Sequence, residues 1–163
     1  MRSRSPGSPR PGVARLRLRP ARWALPACAA LGIALAGCGD VSDAKFRSDV
    51  DRICRRSSAE LARIPAPAPD DLPANGRFTG QVVTVVRRTH DQLKAVDAPD
   101  AKASEYRKWV SQIKRIRDVI AGQSAAAATG DRARFNSLVE QQNTLLQASK
   151  AKAALLGLGQ CAR

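Results

Sequence analysis

The sequence predicts an all-α domain, an antiparallel four-helix bundle over residues 42–163. Three observations predict it. Four segments repeat apolar residues at steps of three and four, which line up on one face of a helix. Proline- or glycine-rich breaks separate them. No segment alternates apolar and polar residues convincingly enough to read as a strand, and no internal repeat is present.

The first helix is expected from about Ser42 to Ile64, capped by Asp40 or Ser42. Phe46, Val50, Ile53, Cys54, Leu61 and Ile64 form its stripe. Pro65 ends it, because proline disfavours helical geometry at the residue before it. Residues 65–76 (PAPAPDDLPANG) read as a stiff linker. The second helix is expected from about Arg77 to Val96, with Phe78, Val82, Val85, Val86, Leu93 and Val96 inward. Its VVTVV run favours a strand by propensity, but Phe78, Val82 and Leu93 at helical spacing decide for helix. Asp97-Ala98-Pro99-Asp100 reads as a helix start, with Asp97 capping. The third helix then runs to about Thr129 on Tyr106, Trp109, Val110, Ile113, Ile116 and Ile120, with Gly122 expected to kink or fray its end. Gly130 stops it and Asp131 caps the fourth helix, which runs to about Leu156. Phe135, Leu138, Val139, Leu145, Leu146, Ala153 and Leu156 face inward. Gly157 suits the left-handed position after the helix, and Leu158 the accompanying apolar contact.

Charge divides the chain unevenly. The formal charge is +14 over 163 residues. Arg2, Arg4, Arg10, Arg15, Arg17, Arg19 and Arg22 supply half of that excess, and no acid occurs before Asp40. The length excludes a large multidomain enzyme and a polytopic membrane protein. After the basic segment comes WALPACAALGIALA at residues 23–36, uncharged and too short to span a bilayer, which takes about 20 residues. The order basic, then apolar, is that of a secretory signal. No Arg-Arg pair precedes it, so the general secretion route is expected.

Leu35-Ala36-Gly37-Cys38 follows at once and resembles the bacterial lipobox. The resemblance implies diacylglycerol on the Cys38 sulfur and cleavage between Gly37 and Cys38. Residues 1–37 would then be a signal peptide, 38–41 a lipidated tether and 42–163 the helical domain. Two or more acyl chains anchor a protein stably, with no membrane-spanning helix required. The expected location is the cell membrane, lipid-anchored on the extracytoplasmic side.

Export bears on the remaining cysteines. Cys28 leaves with the signal and Cys38 takes lipid, so Cys54 and Cys161 remain in an oxidising compartment. One disulfide is expected; two independent buried thiols are the alternative. In an up-down bundle Cys54 lies about 18 Å along helix one from the end where helix four finishes. The pairing therefore requires either that helix one overhangs the bundle or that residues 157–160 turn back along it. With Cys38, Cys54, the Pro-rich linker, Gly130-Asp131 and the closing Gly157-Leu158-Gly159-Gln160-Cys161, the chain resembles small helical lipoproteins of high-GC actinobacteria. That resemblance implies a fold and a location, and no activity.

The chemical inventory is thin. One histidine, His90, and no Cys-x-x-Cys or Glu-x-x-His motif give no expectation of a metal or cofactor. His90 reads as an edge or core histidine with a hydrogen-bond partner. Asp49/Asp51 are spaced so that they do not share a helix face; Asp70/Asp71 could cap helix two. No serine nucleophile set is evident. Arg87, Arg88, Arg107, Lys108, Lys114 and Arg115 form the candidate basic surface. Missing aromatic platforms and the export signal argue against nucleic acid. Acids at Asp100, Glu105 and Asp118 interrupt the helix-three face, so the plain expectation is a solvated face; anionic lipid headgroups are the best functional alternative, since basic residues near such a surface gain about 1 kcal/mol each. Three functions compete: a membrane-anchored interaction or scaffold module with an envelope protein partner, a carrier of a lipid or other apolar ligand between helices, and an enzyme. The expectation is a non-catalytic interaction module. A pocket of several hundred cubic ångströms would favour the carrier.

Overall fold

The computed structural model describes residues 41–163. They form four antiparallel helices packed as a bundle: α1 (Asp43–Leu61), α2 (Leu72–Lys94), α3 (Asp100–Ala128) and α4 (Arg132–Leu155). No strand occurs among the described residues. The VVTVV run lies inside α2, as its flanking apolar spacing requires.

Local chemistry sets the ends. Ser42 caps α1 by accepting from the Lys45 N–H at 3.2 Å. The helix ends at Leu61 and not at Ile64, because the last turn tightens: Arg63 N–H donates to Glu60 O and Ile64 N–H to Leu61 O. α2 begins five residues earlier than the linker reading allowed. Asp71 caps it at 2.8 Å from the Ala74 N–H, Leu72 is buried, and Pro73 sits in the first turn, where its missing N–H has no partner to lose. Asp97 does not cap α3. Pro99 holds the N-cap position without a side-chain bond, and Asp100 places its charge in the first turn, where the helix dipole favours an acid.

Gly122 neither kinks nor frays α3, which runs on to Ala128. A Cβ there would stand 3.2 Å from Leu138 Cδ1, so the glycine admits a close approach of α4. Both left-handed glycines fall where expected, Gly130 at φ 74° and Gly157 at φ 77°. Each completes the paired reverse bonds that satisfy terminal carbonyls: Asp131 N–H to Ala126 O at 2.9 Å, and Leu158 N–H to Ala153 O at 2.9 Å. Asp131 then caps α4 through the Arg134 N–H at 2.9 Å.

Two apolar clusters make the core. At one end all four helices contribute: Phe46 and Val50, Leu93, Tyr106, Trp109 and Val110, then Ala153 and Leu156, with Leu158 from the tail. At the other end Leu72, Ala126, Ala127 and Phe135 come from α2, α3 and α4 alone. α1 is the shortest helix at 19 residues against 29 for α3, and it packs on α2 without extensive contact with α4. Among the described residues, both clusters draw their buried members from residues 46–158, within one compact unit.

Cys54 of α1 and Cys161 are joined in a disulfide, Cα to Cα 5.3 Å. The tail turns back along α1 to reach it. Gly157 lies against Arg47, the Gln160 N–H donates to Asp51 Oδ1 at 2.9 Å, and Cys161 then meets Cys54. Of the two geometries the sequence left open, the returning tail is the one adopted.

Candidate functional site

α2 and α3 pack closely at the end away from the tail. A Cβ on Gly76 would stand 2.8 Å from the Ala127 Cβ, and Ser124 Oγ donates to Gly76 O at 3.1 Å. Toward the other end the side chains are larger and the two helices leave a groove of about 510 Å³. Its floor is apolar: Tyr106 and Val110, both buried, and half-buried Val96. Its rim is basic, with Lys94, Arg107 and Lys114, and His90 beside them.

Several of the groove's polar groups have partners within the chain. Tyr106 Oη donates to Leu93 O at 2.7 Å, and burial pushes the phenol's pKa well up, so it stays neutral. Lys114 pairs with Asp118 at 2.8 Å. Hydrogen bonds from Lys114 and Arg117 hold Asp118 below the usual carboxylate range. His90 is 12 % exposed, with Nδ1 3.1 Å from Asp91 Oδ1. Lys94 and Arg107 make no ion pair among the described residues. Chemically the groove offers an ammonium and a guanidinium over an apolar floor. That suits an acid group carried on a short apolar stem. It offers no nucleophile activated by a base.

The six basic residues read from sequence do not form one patch. Arg107 and Lys114, seven apart, share the groove. Lys108 and Arg115 each follow by one residue and so point about 100° further round the helix. Lys108 pairs with Glu105 at 2.6 Å, which also meets Lys152 of α4 at 3.2 Å. Arg115 is exposed and makes no ion pair among the described residues. Arg87 and Arg88 line another face of α2, where Arg88 bridges to Glu60 of α1 at 2.7 Å. Lys94 is the member that sequence reasoning missed. Its spacing of four from His90 put it on the same face, and that signal was available. Gly37 and Cys38 lie outside the described residues.

No family model matches the chain, and neither the curated proteins nor the solved structures yield a match. Among the described residues no group of three or more His, Cys, Asp or Glu side chains is placed to hold a metal ion. No helix among them is long and apolar enough to cross a membrane.

Proposed function

We propose that this protein is a lipid-anchored, non-catalytic interaction module of the cell envelope. Cys38 carries the lipid after cleavage behind Gly37, and the α2/α3 groove takes an acidic group. The groove's position is the observation that supports this reading most. Asp43 of α1 pairs with Lys102 of α3 at 2.6 Å, and Lys102 also donates to Leu156 O at 3.3 Å. The start of α1, the start of α3 and the end of α4 therefore meet at one end, with the groove beside it. Residues 39–42 between Cys38 and α1 span at most about 14 Å when extended. A lipid on Cys38 would hold that end, and the groove with it, close to the headgroups. Anionic headgroups would then lie within reach of Lys94 and Arg107.

Two measurements test the reading. Cells fed an alkyne-tagged palmitate should label the wild-type chain, and Cys38→Ala should lose both the label and the membrane fraction. Residues 38–163 with Cys38→Ser should sediment with vesicles containing phosphatidylglycerol and not with phosphatidylcholine alone. The pair Lys94→Glu and Arg107→Glu should abolish that preference. Equal sedimentation of the pair and the parent would sink the groove. A photo-crosslinker at Lys94 that traps an envelope protein in place of lipid would transfer the same surface to a protein partner.

A further inference from the structure

A four-helix bundle ordinarily closes by packing its first helix on its last. Here α1 packs on α2, α2 on α3 and α3 on α4, while α1 and α4 pack far less, meeting at the end that holds Phe46, Val50 and Ala153. The open seam is a cleft of about 210 Å³. Leu61 of α1 and Leu146 of α4 wall it, and Val86, Ile113 and Ile116 line its depth. Trp109 borders it, and the Cys54–Cys161 bridge closes one end.

Two pairs of polar side chains inside are already partnered. Trp109 Nε1 donates to Ser149 Oγ at 3.0 Å, and Thr89 Oγ1 bonds Ser57 Oγ at 2.9 Å. Besides the Ser58 hydroxyl and the Gln160 side-chain amide, what remains for a ligand is apolar surface. Among the described residues, the side-chain charges at its border are Lys150 and Arg163, and no Asp or Glu lines it. Neither cation makes an ion pair among the described residues. The volume is below the roughly 300–1,000 Å³ usual for drug-sized ligands, so the cleft takes part of one narrow chain, the rest lying along the open seam, and not a two-chain phospholipid.

We infer that the α1/α4 cleft binds a fatty carboxylate, its hydrocarbon chain between Leu61 and Leu146 and its acid group at Lys150 and Arg163. Apolar shape selects a single chain, and the two cations select its charge. This site is separate from the α2/α3 groove and depends on neither Cys38 nor the groove.

The experiment uses oxidised residues 38–163 with Cys38→Ser, whose one tryptophan, Trp109, borders the cleft. Dodecanoate titrated below its micelle concentration should change Trp109 emission saturably at one-to-one stoichiometry. Dodecyltrimethylammonium, with the same chain and the opposite charge, should bind about tenfold more weakly or worse, and acetate should have no effect. Ile113→Phe should fill the cleft and abolish the response. The exposed-end pair Lys150→Glu and Arg163→Glu should weaken dodecanoate about tenfold with an unchanged melting temperature, and it decides the matter if Ile113→Phe does not fold. Lys94→Glu with Arg107→Glu should leave dodecanoate binding intact. A response that never saturates below the micelle concentration overturns the proposal. So does saturable binding that neither variant weakens, or equal binding of the two oppositely charged chains.

Discussion

Tyr106 is buried at 3 % exposure, with its ring edge-on to Phe46 at 5.0 Å between centroids. Its hydroxyl donates to Leu93 O, which also accepts from the Val96 N–H at 3.1 Å. Tyr106→Phe therefore leaves no carbonyl orphaned, and it should cost about 1 kcal/mol of stability in urea unfolding. Trp109→Ala removes a wholly buried ring and its bond to Ser149, and should cost about 3–5 kcal/mol. The acidic side chains behave differently. Asp43, Asp49, Glu105 and Asp118 are each held below the usual carboxylate range, chiefly by hydrogen bonds donated by Lys102, Lys45, Lys108 and Lys114 in that order. A carboxylate with a depressed folded-state pKa stabilises the fold above its unfolded pKa, and that contribution is lost as pH falls through the folded value. Urea midpoints should thus be flat from neutrality to about pH 5 and decline below about pH 4. The effect should be modest, because these pairs sit in solvent. A midpoint that rises on acidification would contradict the assignment.

Helix contacts turn on three glycines whose demands differ. Gly76 faces Ala127 with no room for a methyl group, whereas a Cβ at Gly80 would meet Ser124 Oγ at an ordinary 3.6 Å. Gly76→Ala should destabilise by about 1–3 kcal/mol through overpacking. Gly80→Ala should stabilise by about 0.5–1 kcal/mol through helix propensity. Gly157→Ala forces a left-handed alanine and should cost about 1–2 kcal/mol. Thermal unfolding of the three single variants gives the order directly. The helical periods, the Gly130 and Gly157 stops and the Asp131 cap were legible because each is local chemistry. Asp97 misled because a capping carboxylate and a proline two residues on look the same whether or not the aspartate reaches the helix. The early start of α2 was hidden because Pro73 reads as linker by composition, while the first turn of a helix tolerates it.

At the scale of the molecule, the Cys54–Cys161 bridge ties α1 to a tail that returns along it, closing a sequence separation of 107. Cys54→Ser with Cys161→Ser should cost about 2–5 kcal/mol, mostly by freeing the unfolded chain. It should also speed amide exchange in residues 157–163, since Gln160 loses its hold near Asp51. Unchanged stability in the double variant would mean that Leu158 packing alone secures the tail. By itself the sequence determined the helical class, the four apolar stripes and the LAGC motif, because these depend on neighbours along the chain. The tertiary structure alone decided which faces meet. It divided six basic residues among three faces, joined Arg107 and Lys114 to Lys94, and left the seam between α1 and α4 open. Those outcomes depend on the relative lengths and rotations of packed helices, set by contacts such as Gly76 on Ala127 and Leu138 on Gly122, which bring together residues far apart in the chain.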